Sequence, residues 1–284
     1  MEHKTADLAY WITERYAIKL RREQGLAKPW SGDPIFQTVR FCNVHREDDA
    51  VTKWMRENWS DLKSPAWWFV LGRMLNYVPT LEDIVSYGVT ADTDRSEEWL
   101  PTIDGLRDGL KLKRDDGDKI FTSAYTISTC GKKMDKIDYV MGVVQEVKDF
   151  EAAQRMSHRS CIDTWSDLTR IDGLGSFLAA QVVADMKNTE GHPLARAEDF
   201  WTFSASGPGS LRGLSWYFFG EPDGVTAGGY HTALKACRAE VDPLIPEYIP
   251  RISDQDFQNC LCEFSKYMKV KHTGGHARNR FEGV

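Results

Sequence analysis

Three arginines, one aspartate and two glycine-rich turns carry most of the chemistry that can be read from this chain. Arg40, Asn43 and Arg46 recur every third residue in Arg40-Phe41-Cys42-Asn43-Val44-His45-Arg46-Glu47-Asp48-Asp49. On a helix or turn that spacing presents two guanidinium groups and an amide together, a face suited to a polyphosphate or a nucleic-acid backbone. The plainer alternative is a row of solvated ion pairs. Ser206-Gly207-Pro208-Gly209-Ser210-Leu211-Arg212-Gly213-Leu214 gathers three glycines, two hydroxyls and an arginine, so Ser210 and Arg212 are candidates for a phosphate cradle. It lacks the Gly-Lys-Ser/Thr ending of a P-loop, which argues against a kinase or ATPase of that class; a simple turn between helices is the competing reading. Ile171-Asp172-Gly173-Leu174-Gly175-Ser176-Phe177 reads as a tight hairpin between two helices. Gly173 and Gly175 allow positive φ, and the amides at Ser176 open the second helix toward an anion such as a DNA phosphate. Asp199 stands in Ala197-Glu198-Asp199-Phe200-Trp201, where aromatic neighbours would desolvate the carboxylate and raise its pKa, as a catalytic base or cation stabiliser requires. The competing reading is a helix cap or a surface acid.

Two basic patches accompany these groups. Lys132 and Lys133 precede a helix and either touch phosphates or simply face solvent, and Arg278-Asn279-Arg280 reads as a basic arm for duplex contacts. Glu47 and Asp48 are weak candidates for Mg²⁺, so the expectation is that no cofactor is required, with a role for Mg²⁺ left open. Cys260 and Cys262 point to different faces of a helix and have no second pair to complete zinc ligation, so no metal site is expected there.

These residues must be positioned by helices. Lys136 to Ala153 places Ile137, Val140, Met141, Val144 and Val147 on one stripe; Ser253 with Asp256 opens a helix carrying Phe257, Leu261, Phe264 and Met268. Ser64-Pro65 and Thr80 with Asp83 mark two further starts, and 120–128 alone alternates loosely enough for a short strand. The chain is therefore read as mainly α. With 284 residues, 42 % hydrophobic and 27 % charged, it can bury a substantial core and is neither disordered nor fibrous. The spacing suggests one helical unit over 1–284, or two lobes of about 1–135 and 136–284 with a basic C-terminal arm at 269–284. The net charge of −6 is unevenly spread: residues 81–118 hold eleven acids against five bases, whereas 263–284 hold five bases against two acids. No apolar run approaches the ~18 residues of a membrane span, and neither a signal nor a transit peptide is evident, so cytoplasm is expected, the host's if the chain is phage-encoded. Six scattered cysteines suit reduced thiols better than a disulfide framework.

Two resemblances follow. A hairpin followed by Asp199, 24 residues after Gly175, is similar to the base-excision glycosylases of the helix-hairpin-helix superfamily. More extensively, Arg40-Phe41-Cys42-Asn43-Val44 with Arg46-Glu47-Asp48-Asp49, Lys133-Met134-Asp135-Lys136-Ile137-Asp138-Tyr139, Asp199-Phe200 with Gly207 to Leu214, and Asp256 to Phe264 with Lys266-Tyr267 resemble the α-glutamyl/putrescinyl-thymine pyrophosphorylase family. These amino acid:DNA transferases are glycosylase-like, related to the helical domain of 5-hydroxymethyluracil DNA kinases, and typical of bacteriophages that hypermodify thymine. The resemblance implies a helix-hairpin-helix glycosylase-like fold and a reaction on double-stranded DNA. In that reaction the pyrophosphate on a 5-hydroxymethyluracil base is displaced by the amine of an amino acid or polyamine. Arg40, Asn43, Arg46, Ser210 and Arg212 would then hold pyrophosphate, Asp199 would deprotonate the amine or steady the intermediate, and the hairpin would grip the strand while the base is flipped out. Functional coupling to a 5-hydroxymethyluracil DNA kinase is a further expectation. One position departs from the pattern: Ser265 stands where the family carries an acid before Lys-Tyr. Two other readings stay open: a true DNA glycosylase using Asp199, and a non-catalytic DNA-binding module.

Overall fold

A computed structural model describes residues 2–59, 65–88, 102–122, 127–153 and 155–274. Among them twelve α-helices and several single 3₁₀ turns form, and no β-strand. In chain order the helices are α1 (Glu2–Glu23), α2 (Pro34–Thr38), α3 (Ala50–Trp59), α4 (Ala66–Leu75), α5 (Val78–Gly88), α6 (Ile103–Asp115), α7 (Lys136–Ala152), α8 (Cys161–Leu168), α9 (Ser176–Lys187), α10 (Pro208–Phe219), α11 (Tyr230–Val241) and α12 (Asp254–Thr273). The mainly α expectation holds. No strand forms in the described part of 120–128. Thr80 caps no helix: it is buried inside α5, and its hydroxyl donates to the carbonyls of Lys119 and Ile120 at 3.3 and 3.0 Å.

The chain divides at 49/50 and 200/201, not near 135. One unit joins residues 1–49 to 201–284 and the other is 50–200. The reason is the shared core of the two chain ends. Leu8, Trp11, Ile12, Phe36 and Phe41 are buried with Leu214, Tyr230, Leu234, Phe257, Leu261 and Phe264. Phe36 lies against the rings of Phe41 and Tyr267 at 5.2 and 5.5 Å.

Helix α12 is the axis of this terminal unit. Its start is the expected capping box: Ser253 Oγ accepts the Asp256 N–H at 3.2 Å, and the Asp256 carboxylate accepts the Ser253 N–H at 3.3 Å. Helix α10 packs on it at backbone range. A methyl group at Gly213 would stand 2.2 Å from the Leu261 carbonyl oxygen, and one at Gly209 would stand 2.8 Å from Cys262 Sγ. Two glycines one turn apart thus make a flat face that larger residues would close.

In the central unit, α4 is buried along its whole length and packs with α7 and α9. The predicted α7 stripe of Ile137, Val140, Met141, Val144 and Val147 is buried. At the heart of this core Arg73 of α4 forks onto Asp185 of α9, Nε to Oδ2 at 2.7 Å and a terminal nitrogen to Oδ1 at 2.6 Å. Thr52 of α3 donates to the same carboxylate at 2.7 Å. Such a buried pair stands because both partners are satisfied in bidentate geometry.

Glycine substitutions should separate packing from propensity. Gly213→Ala is expected to lower stability by about 1–3 kcal/mol through overpacking. Gly109→Ala, at an exposed site in α6 with open space around it, is expected to raise it by about 0.5–1 kcal/mol. Urea unfolding of the two variants checks both signs.

Candidate functional site

In the terminal unit, the segment from Cys42 to Arg46 is laid along α12 by its own backbone. The Cys42 N–H donates to Glu263 Oε2 at 3.1 Å, Asn259 Nδ2 donates to the Asn43 carbonyl at 3.3 Å, and the Arg46 N–H donates to Asp256 Oδ1 at 2.8 Å. The expected helical face of Arg40, Asn43 and Arg46 is therefore not formed, because these contacts hold the segment extended until a 3₁₀ turn begins at Arg46. Asn43 spends its amide internally, accepting from Arg15 and donating to the Asp48 carbonyl at 2.7 Å. Arg40 is exposed and has no hydrogen bond or ion pair among the described residues. Arg46 is half-buried.

The glycine-rich stretch is likewise not a loop. Gly207 caps α10, and Ser210 is fully buried, accepting the Gly207 N–H at 3.1 Å. Arg212, one turn in, is exposed with no side-chain partner among the described residues. Between the Cys42 segment and the start of α10, the surface of α12 carries Gln258, Cys262 and Lys266. Gln258 Nε2 lies 3.4 Å from Cys262 Sγ. Burial and then the Glu263 charge push the Cys262 thiol up to about 12, while Lys266 and Arg212 pull the other way, so these charges surround one sulfur. Desolvation pulls Lys266 down, but the charge and hydrogen bond of Glu263 overcome it and leave the ammonium above its usual value. The result is a strip along α12 that holds Lys266 and the carboxylates of Asp256 and Glu263, with Arg212 beside it on α10. Glu263 and Arg15 were not singled out from the sequence. Glu263 sits within the α12 sequence with no local signal of its own, and only its tertiary contact with Cys42 reveals it.

Glu47 is exposed, and Asp48 is held by Lys19 at 2.5 Å, so Asp48 is already charge-compensated. Among the described residues no group of three or more His, Cys, Asp or Glu is arranged to hold a metal ion. No described helix is long and apolar enough to cross a membrane.

In the central unit, α8 and α9 are joined by the expected tight turn. Gly173 takes φ +95°, and a Cβ there would meet Tyr139 Oη at 2.6 Å and Val143 Cγ2 at 2.8 Å, so only glycine fits. Gly175 caps α9 without a side-chain bond, and Ser176 and Phe177 are exposed beside it. Lys132 pairs with Asp172 of this turn at 2.6 Å, whereas Lys133 is exposed. Arg278 and Arg280 lie outside the described residues.

Asp199 is half-buried and accepts the N–H groups of Cys161 and Ile162 at 2.8 and 2.9 Å. The Cys161 thiol bonds to it as well and is pushed to about 12, chiefly by burial and then by the Asp199 charge. This carboxylate thus anchors the first turn of α8, the first helix of the hairpin. Both of its oxygens accept a backbone N–H, which fixes the carboxylate in place. Its loop is tied down by Lys187, fully buried, whose Nζ donates to the Phe200 carbonyl at 2.8 Å. His192 also holds it, accepting the Leu194 N–H on Nδ1 at 3.1 Å.

The family described as 5-hmdU DNA kinase, helical domain, matches residues 2–276. The chain belongs to that family. A 5-hmdU DNA kinase of Bacillus phage SP10 is 25% identical over 232 residues, 73% of this chain and 35% of the phage protein, so the chain spans about a third of that relative's length. No solved structure matches. The matched region of this helical domain takes in the Arg40–Arg46 segment, the hairpin, Asp199, Arg212 and Lys266.

The His192 anchor predicts an acid limb. Burial, with the His158 charge second, lowers this imidazole from 6.5 to about 3. Between those values the unfolded chain binds a proton that the folded chain refuses, so stability is full above pH 6.5 and falls as pH drops. From pH 7.5 to 5 this one group should cost about 2 kcal/mol. In His192→Asn, whose Oδ1 keeps an acceptor for the Leu194 N–H, that part of the loss should vanish in urea titrations at the two pH values.

Proposed function

We propose that this chain acts on DNA containing modified thymine, and that it replaces the pyrophosphate of a 5-pyrophosphoryloxymethyl-uracil base with an amine. What carries the reading is the convergence on α12 of chain segments some two hundred residues apart, with Arg40 and Arg212 exposed and lacking side-chain partners among the described residues. The kinship to the helical domain of 5-hmdU DNA kinases supports the thymine-modification setting and functional coupling to such a kinase.

The chemistry fits the residue types. The C–O bond to the C5 methylene breaks and its electron pair leaves with pyrophosphate; the amine nitrogen forms the new C–N bond and gives up a proton, which passes to a base, the departing pyrophosphate or water. Arg40, Arg46 and Arg212 neutralise the leaving group, while Asn43 and Ser210 hold the strip's shape. The electron-poor methylene gains positive character as pyrophosphate departs. Asp199, in the central unit and held by two backbone N–H groups, keeps the role that the resemblance implies, deprotonating the amine or steadying the intermediate. The glycosylase-like part of the reading is the α8–α9 hairpin, whose open α9 amides grip a phosphate while the base is flipped. No metal step is needed in this scheme, and Mg²⁺ would enter only as a companion of pyrophosphate.

Base excision is the second reading, favoured by the hairpin and by Asp199 anchored on it. Nucleoside mass spectrometry separates the two on DNA carrying the pyrophosphorylated base. Transfer releases pyrophosphate and leaves a heavier nucleoside; excision releases free base and leaves an abasic site. Arg212→Ala is expected to slow transfer by about 10–100-fold, the worth of one charge-assisted contact in the transition state. Asp199→Asn should abolish transfer and spare DNA binding, and full activity in that variant would remove Asp199 from the chemistry.

A further inference from the structure

The hairpin of the central unit borders a cavity that neither the Asp199 loop nor the grip on a phosphate uses. It measures about 230 Å³ and lies between the 132–134 stretch, the first half of α7 and Asp172 of the turn. Tyr139 and Val143 form its back wall. The same two side chains press on the hairpin, where a Cβ on Gly173 would meet them at 2.6 and 2.8 Å. A strand held at the start of α9 therefore passes close to this cavity.

Three features mark it as a site. Gly142 lies inside α7, where glycine weakens a helix relative to alanine. No packing calls for it, since nothing stands within 4 Å of a Cβ added there, and the missing side chain leaves the cavity floor open. Glu146, one turn on, lines the cavity, is exposed and has no hydrogen bond or ion pair among the described residues. Across the cavity Lys132 holds Asp172 at 2.6 Å, with its Nζ 5.6 Å from the centre of the Tyr139 ring. Both partners of that pair are exposed, so it contributes little and opens readily, and the released ammonium suits a phosphate.

The shape and the chemistry select a flat ring that carries N–H groups. The volume lies below the ~300 Å³ at which sites for drug-sized molecules begin, room for one ring system and not for a base pair. Val143 and the exposed, flexible Met134 supply apolar contact. An ionised carboxylate accepts hydrogen bonds and donates none. Among the DNA bases, guanine turns two neighbouring N–H groups, N1–H and N2–H, to one side of its pairing edge. Adenine and cytosine set a ring-nitrogen acceptor beside their amino group, which a carboxylate repels, and thymine sets one N–H between two carbonyls.

We propose that this cavity is a base-reading pocket that takes one unpaired guanine, with its N1–H and N2–H on Glu146 and its phosphate on Lys132, so that DNA held at the hairpin is selected by sequence. The inference rests on the reading that the chain acts on DNA and deepens it; the chemistry of transfer does not enter.

The probes are fluorescently labelled oligothymidylate strands with one central dG, dA or dC, into which the full chain is titrated and binding followed by anisotropy. The wild type should bind the dG strand about tenfold more tightly than the other two, the worth of one hydrogen bond to a charged group. Glu146→Gln should remove that preference and leave the binding of plain oligothymidylate unchanged. Gly142→Leu, which fills the floor with a better helix former, should remove it too, with a thermal melt no lower than the wild type's. Equal binding of the three strands by the wild type would overturn the proposal, as would an intact preference in Glu146→Gln or in a folded Gly142→Leu. Free dGMP and dAMP, added as competitors, identify the source of the base. Competition by dGMP at strand concentrations would move the pocket to a soluble guanine nucleotide and overturn its role on DNA. Strand binding without base preference sinks the pocket and leaves the DNA reading. If no strand binds, that reading fails, and direct titration of dGMP against dAMP decides the pocket, which equal or absent binding of the two would remove.

Discussion

Helix α12 can be what it is only because α10 has no side chain where the two meet. The Leu261 carbonyl oxygen occupies the space that a methyl at Gly213 would claim, at 2.2 Å. This close approach decides where everything else in the terminal unit goes. It turns Arg212, one residue before Gly213, outward, and buries Ser210. It seats Cys262 under Gly209. With one flank of α12 taken by a helix backbone, another is taken by the extended Cys42–Arg46 segment, whose N–H groups have no helix of their own and bond to Glu263 and Asp256 instead. The strip is thus a by-product of two backbones pressed against one helix.

That origin explains what could and could not be read from the sequence. Elements whose signal is local were legible: the Ser253–Asp256 box, the apolar stripe from Lys136 to Ala153, and the Gly173 turn all stand as the residue pattern indicated. Elements decided by distant partners were not. Arg40, Asn43 and Arg46 repeat every third residue as a helix face would, but α12 supplies better partners for that backbone than a helix could. Gly207 to Gly213 has the composition of a phosphate loop, yet glycine that permits a turn and glycine that permits close packing look the same in one sequence. The boundary near 135 failed for a related reason. The first 49 residues complete their core with residues beyond 200, a pairing that no local composition shift records.

Asp199 illustrates a different limit. Its neighbours Phe200 and Trp201 suggested a carboxylate stripped of water, and it is indeed half-buried. What the sequence could not supply was the start of α8, 37 and 38 residues earlier, whose two N–H groups it accepts. A carboxylate with those donors is firmly fixed in place. Two backbone N–H groups at the first turn of α8 make Asp199 a cap on that helix.

A displacement in which an anion leaves and a cationic amine arrives asks opposite things of one surface. A wholly basic surface would hold the leaving group and repel the incoming amine; a neutral one would hold neither. In the terminal unit a buried carboxylate, Glu263, stands next to Lys266 on α12, and burial lets that charge act strongly on its immediate neighbour while solvent screens it from exposed groups beyond. The same carboxylate also ties down the Cys42 backbone. Any change that removes its acceptor therefore loosens the segment that carries Arg40 and Arg46.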